Sequence, residues 1–317
     1  MMSEVLCAGI IVADHVCTPI PKLPAAGELV LAKQLVLTVG GCAANVAVDL
    51  GKMEIQAKVL GRVGNDVFGR VVAEMLEANK VDVSGILVTP NCDTSQTLIV
   101  NVQGEDRRFI HSFGANAEFR AADIPLNRVS QCSVLYLGGY LLMEKMLQDE
   151  VIPLFAAARK GGAKTVLDIV TPGPANYLPR LERLLPHVDV FLPNDMEGQL
   201  ITSESDPLKQ AEIFRRFGAH TVIVTLGGRG AILTNEKTRL KATTYQVPFV
   251  DGSGGGDAFA AGYIYGLIKD LNTEDCLRIA SALGASCVRA IGTTTGVFTR
   301  QDCEAFVREH PLQIQRL

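Results

Sequence analysis

The chain has 317 residues, 48% hydrophobic and 20% charged, with a formal net charge of −4. That is enough apolar content for a large core in a single α/β domain. Its lysines and arginines are scattered without a basic run, so a nucleic-acid partner is not expected. No apolar stretch reaches the roughly 18 residues that cross a bilayer, and Met1–Val5 lacks a basic leader segment, so a cytoplasmic protein without a membrane partner is expected.

The first apolar run, Leu6–Ile11, reads as a strand, with Asp14 just past its carboxyl end. Residues 16–39 break the pattern with Pro19, Pro21 and Pro24, then become strand-like over Glu28–Val39. Gly40-Gly41 precede a helical pattern at Ala43–Lys52, followed by a strand at Ala57–Val63 and a helix at Asp66–Asn79. Residues 86–113 read as strands joined by turns at Pro90–Asp93 and Gln103–Asp106. Alternation then resumes with strand Val134–Leu137, helix Lys145–Lys160, strands Thr165–Leu167 and Val188–Leu192, helix Pro207–Phe217, and strands Val222–Leu226 and Ala231–Thr234. Helices Asp257–Lys269, Thr273–Ala290 and Arg300–Glu309 close the chain.

Strands nearly continuous in Val, Ile and Leu are buried on both faces, and their alternation with helices predicts a mostly parallel sheet between helical layers. The two irregular β-regions are expected to stand beside that sheet, as a flap over a site or as a dimerisation surface. Eight cysteines form no Cys-x-x-Cys pair, and the five histidines lack ligand spacing to them. They read as small buried apolar residues in a reducing compartment rather than a zinc site.

The strongest chemical signal is Val250-Asp-Gly-Ser-Gly-Gly-Gly-Asp257-Ala-Phe259, a glycine cluster running into a helix. The consecutive glycines Gly254, Gly255 and Gly256 leave their amides open, and a helix N-terminus turns such amides toward an anion. An Asp at a helix start ordinarily caps the helix. Beside an anion-binding loop it can instead take the proton of an attacking hydroxyl. The chain contains no Gly-x-x-x-x-Gly-Lys-Ser/Thr sequence and no Gly-x-Gly-x-x-Gly after a strand, so P-loop and nicotinamide-binding readings lack support.

These segments resemble the ribokinase family, the PfkB-type carbohydrate kinases. The resemblance rests on Asp251–Asp257, on Gly40-Gly41-Cys42-Ala43-Ala44-Asn45, on Gly61–Gly69, on Asn194-Asp195-Met196-Glu197 and on Thr225–Gly230, all in family order. It implies one ribokinase-like three-layer α/β domain over residues 1–317, with a β-lid formed by segments at about 16–39 and 86–113. Asp257 would be the general base and the amides of Gly254–Gly256 the anion hole. Asp14, Gly40, Gly41 and Asn45 would bind the acceptor. Asn194 and Glu197 would position ATP and magnesium, Glu197 through water, while Thr225, Gly227 and Gly230 would line the nucleotide cleft. Asp251 and Ser253 stand where many members bind a monovalent cation, which implies potassium activation. Two departures occur within the Asp251–Asp257 motif: Gly252 replaces the usual Thr and Gly255 the usual Ala.

The resemblance thus implies an ATP-dependent kinase acting on a ribose- or fructose-like sugar, and a homodimer through the lid. Gly114-Ala115-Asn116 is similar to ribokinases and favours a pentose. Arg107 and Arg108 read as the solvated face of a hairpin, with an acidic or phosphorylated substrate as the alternative, and Phe109 and Phe113 keep a nucleoside acceptor open. A non-catalytic sugar- or nucleotide-binding regulator is the remaining alternative, opposed by the intact Asp257, glycine triplet and Glu197.

Overall fold

The computed structural model describes residues 4–105 and 107–317. Asp106, the last residue of the turn expected at Gln103–Asp106, lies outside the described residues. The chain opens with β1 (Glu4–Gly9), β2 (Val12–Ile20) and β3 (Leu35–Gly40), then α1 (Cys42–Lys52), β4 (Gln56–Gly64), α2 (Val67–Ala78) and β5 (Asp82–Thr89). A hairpin follows, β6 (Gln96–Val102) and β7 (Arg108–Ser112). Past the short α3 (Leu126–Val129) come β8 (Val134–Gly138), α4 (Gln148–Lys160), β9 (Lys164–Asp168), β10 (Val190–Leu192), α5 (Asp195–Thr202) and α6 (Pro207–Arg216). Strands β11 (Thr221–Thr225), β12 (Ala231–Thr234) and β13 (Arg239–Ala242) lead to helices α7 (Gly255–Ile268), α8 (Thr273–Cys287) and α9 (Arg300–Glu309), and β14 (Ile314–Arg316) ends the fold.

Ten strands form one sheet in the order β14-β13-β12-β11-β10-β9-β8-β1-β4-β5. Pairing is parallel from β5 to β11 and antiparallel from β11 to β14. From β1 the chain moves one way through β4 to β5, then returns to β8 and moves the other way to β11. Right-handed crossovers therefore put α1 and α2 on one face and α4 and α6 on the other. This is the expected α/β architecture, and its direction reverses between β1 and β8. Ligands bind outside the carboxyl ends of strands at such a switch point.

A second sheet, β3-β2-β6-β7, stands beside the first as the expected lid. Strand β1 stops at Gly9, which holds φ 142° and packs against Gly138 so closely that a Cβ there would collide with the Gly138 carbonyl. The chain leaves the large sheet at this crossing and enters β2, so Asp14 lies on a lid strand paired with Thr38 and Thr97. Residues 82–89 join the edge of the large sheet rather than the small one.

Helix α7 is buried from Ala258 to Gly266. A Cβ on Gly262 would come within 2.7 Å of Ala280 Cα, so glycine at this position lets α7 and α8 pack backbone to backbone. The rigid seat under the glycine loop follows from that packing. No helix among the described residues is long and apolar enough to cross a membrane.

Candidate active site

The site gathers at the carboxyl ends of the parallel strands. Gly254, with φ 76°, caps α7, and a Cβ on it would overlap the carbonyl of Thr293. Only glycine fits there, in conformation and in space. The helix consequently begins at Gly255, two residues earlier than its apolar periodicity predicts, which puts Asp257 inside the first turn. Gly254, Gly255 and Asp257 fall among the half-buried and exposed positions of the loop, so it remains open to a ligand.

Asn45, on the first turns of α1, donates from Nδ2 to Asp257 Oδ2 at 2.8 Å. Its Oδ1 is buried and has no partner among the described residues. An orphaned acceptor beside the carboxylate suits a hydroxyl donor, since leaving it unmet costs about 1–3 kcal/mol. Burial pushes the Asp257 carboxyl above its ordinary value, opposed by Asn45 and the Cys42 thiol.

Sequence reasoning missed one neighbour of Asp257, Asp168. Single ligand atoms of Cys42, Asp168 and Asp257 lie within 4.8 Å of one another. Asp168 ends β9 and accepts a hydrogen bond from Tyr136 Oη at 2.8 Å. Its carboxyl is held well above the carboxylate range, first by burial and then by the charges of Asp257 and Glu197. The available signal was its place one residue past the predicted strand Thr165–Leu167, at the end where such sheets bind ligands.

Asp14 is buried, and burial lifts its carboxyl to about 7 against a hydrogen bond from Thr97, with the charges of Asp257 and Asp251 adding to the rise. A Cβ on Gly40 would overlap the Asp14 carboxyl, so that glycine makes room for it. Gly41 takes φ 89°, and a Cβ there would collide with the Ile10 carbonyl. Asp14, Gly40, Gly41 and Asn45 are thereby brought to one side of Asp257. Asn116, by contrast, is committed to the backbone: Ile11 N donates to its Oδ1 at 3.1 Å and its Nδ2 donates to Ile11 O at 2.9 Å.

Asn194 caps α5 through a reciprocal capping box. Glu197 N donates to Asn194 Oδ1 at 2.8 Å, and Asn194 N donates to Glu197 Oε2 at 2.9 Å. Ordinary capping therefore accounts for part of this pair, yet Glu197 is buried rather than solvated, and burial raises its carboxyl to about 7 against the Asn194 and Thr171 amides. A desolvated carboxylate of this kind fits a hydrated divalent cation. Asn194 bridges to Thr225, and Leu226 N closes on Gly230 O at 2.8 Å around Gly227, which holds φ 55°. Thr225, Gly227 and Gly230, expected to line a nucleotide cleft, thus share one turn that is bridged to Asn194.

Asp251 accepts from Ser253 N at 3.0 Å and from Gly292 N at 3.1 Å, tying the glycine loop to the 292–296 loop. Ser253 Oγ is buried and has no partner among the described residues. The pair fits a monovalent cation in its oxygen chemistry, although both Asp251 oxygens already accept backbone hydrogen bonds.

Residues 2–300 match the model of the pfkB family carbohydrate kinases. The chain is 25% identical over 308 residues to the ribokinase of Haemophilus influenzae, covering 95% of this chain and 97% of that one. It is 26% identical over 292 residues to the ribokinase of Mus musculus, covering 89% and 88% respectively. Among solved structures it superposes with a TM-score of 0.84 on a putative ribokinase II of E. coli in complex with ATP and magnesium, at 23% identity, over 98% of this chain and 100% of that one. With the Arabidopsis thaliana ribokinase complexed with ribose and ATP the TM-score is 0.81, at 23% identity, over 97% and 99%.

Proposed function

Since this chain belongs to the pfkB family of carbohydrate kinases, we propose that it transfers the γ-phosphoryl group of ATP to a hydroxyl of a small neutral sugar, ribose- or fructose-like, with Asp257 as general base. The observation that carries this reading is the Asp257 carboxylate in the first turn of α7, directly behind three open glycine amides and tethered by Asn45. The acceptor oxygen forms its bond to the γ-phosphorus as its proton passes to Asp257, and the bond to the β-phosphate oxygen breaks to release ADP. The amides of Gly254–Gly256 receive the charge that develops on the phosphoryl oxygens, each such donor typically contributing about 3 kcal/mol. Asp14 and Asn45 hold the sugar hydroxyls, and the carboxylates around them disfavour an anionic acceptor.

Glu197, with Asn194, would hold magnesium through water, which neutralises phosphate charge when bound. Thr225, Gly227 and Gly230 line the nucleotide side. Asp251 and the orphaned Ser253 hydroxyl are the residues toward a potassium ion. A nucleoside acceptor is the second reading, favoured by Phe109, 55% exposed on the lid strand β7, where a base could stack.

The test is ADP release with pentoses, hexoses, sugar acids and nucleosides as acceptors. A neutral sugar should stimulate it, and Asp257→Asn should lower kcat about 100-fold or more with the fold intact by circular dichroism. Sugar-independent ADP release, or an undiminished rate in the Asp257→Asn variant, would overturn the reading.

A further inference from the structure

The lid hairpin sets a guanidinium directly on the glycine loop. A Cβ built on Gly252 would fall inside the van der Waals envelope of Arg107 Nη1 and lie 3.2 Å from its Cζ. Arg107 immediately precedes β7 and also packs over the Phe109 ring, its Cζ 5.4 Å from the ring centre. The side chain is therefore wedged between its own hairpin and the backbone two residues before the anion-binding glycines. Gly252 is also where the sequence departs from the family's usual Thr. Any side chain at 252 would require the guanidinium to move.

The titratable groups gathered at the site are mostly acidic: Asp14, Asp168, Asp251, Asp257 and Glu197, with Cys42 of α1 beside Asp257, while the Lys52 ammonium of α1 is engaged by the Thr294 and Val297 carbonyls. A nucleotide triphosphate brings several further negative charges, and helix amides offer only partial positive charge. A guanidinium can hold two phosphate oxygens in a fixed fork.

We propose that Arg107 is a phosphoryl-contacting residue, delivered by the lid onto the γ-phosphate, and that Gly252 is the vacancy that admits it. This inference rests on the kinase reading above for its kinetic consequence but not for its binding consequence. The contact forms with the terminal phosphate and persists while that group is in flight, so it favours ATP over ADP and raises kcat more than it lowers the sugar KM.

The experiment uses the full chain with Arg107→Met, Arg107→Lys, Gly252→Ala and the Arg107→Met/Gly252→Ala double variant. Calorimetry with MgATP and MgADP comes first. Arg107→Met should weaken MgATP about 10-fold or more and leave MgADP within about twofold, as expected for loss of a charge-assisted pair. In turnover the same variant should lose about 100-fold in kcat with a nearly unchanged sugar KM, and Arg107→Lys should recover only part. Gly252→Ala should act in the same direction, and the double variant should be no worse than Arg107→Met alone, because both changes remove one contact.

Equal weakening of ATP and ADP, no weakening of either, or additive losses in the double variant would overturn the proposal. Should Gly252→Ala not fold, the arginine variants with the two nucleotides still decide it. A wild-type enzyme that binds ATP but phosphorylates no sugar would sink the sugar-kinase reading alone, since the ATP–ADP comparison needs no acceptor.

Discussion

Asp14 shows how one residue's environment sets both its chemistry and its measurable signature. On β2 it has a Thr97 neighbour that donates to it and a glycine that leaves it space, yet burial still lifts its carboxyl to about 7. Only the ionised form accepts hydrogen bonds from sugar hydroxyls at both oxygens. Asp14→Asn should therefore raise the sugar KM about 10-fold or more while leaving the ATP KM within about twofold. As pH falls through 7, wild-type kcat/KM for the sugar should decline as Asp14 takes up its proton, and protonation of Asp257, whose carboxyl burial also raises, should add a fall in kcat. The Asp14→Asn variant should lose the KM part of that decline and keep the kcat part. A KM profile unchanged by the substitution would remove Asp14 from the acceptor site.

At the scale of elements, the lid divides its labour between two faces. Strand β2 turns Asp14 to one face, which the strand register gives also to Phe109 of β7, whereas Ile110 of β7 and Leu35 of β3 lie on the opposite face, 66% and 76% exposed. Apolar side chains gathered on one small sheet mark an interaction surface, and a second copy of the chain is the expected occupant. Sedimentation should give a dimer, and Ile110→Asp should shift it to monomer at micromolar concentration while the helical circular dichroism signal is retained. A monomeric wild type across that range would dismiss the dimer. Helix α5 shows a different economy, for its capping box serves the helix and aims Glu197 in the same stroke. The Asn-x-x-Glu spacing was legible in the sequence because capping and ligand positioning need the same geometry; the burial of Glu197 was not, because it depends on what packs over the helix.

Over the whole molecule the acidic groups of the site pull against stability. Asp14, Asp49, Asp168 and Asp257 all have carboxyls raised above their ordinary value by burial. A carboxyl raised on folding contributes its full share of stability below its unfolded value and loses it as pH climbs through the folded one. For Asp14 that window runs from 3.8 to about 7. The ligand-free protein should thus melt at a higher temperature near pH 5 than near pH 8. Asp49, fully buried on α1 with no hydrogen bond to either carboxyl oxygen among the described residues, and raised by burial against the nearby Lys52 charge, is the group to remove. Asp49→Asn should flatten the pH dependence of Tm, and an unaltered slope would show that Asp49 is not among the groups responsible. More accessible carboxylates such as Asp66, lowered despite its partial burial by the Thr94 and Gly69 donors, work in the opposite sense but titrate at lower pH.

Sequence alone determined the alternation of strand and helix, the glycine loop ahead of Asp257, and the capped Asn194–Glu197 turn, because each is a local consequence of side-chain period, conformational freedom or capping. Only the tertiary structure could decide that Asp14 belongs to the lid, that Asp168 and Tyr136 border Asp257, and that Arg107 rests on Gly252. Those pairings join residues far apart in the chain, and their geometry is set by strand order and by the close approach of Gly9 to Gly138, which no local pattern encodes.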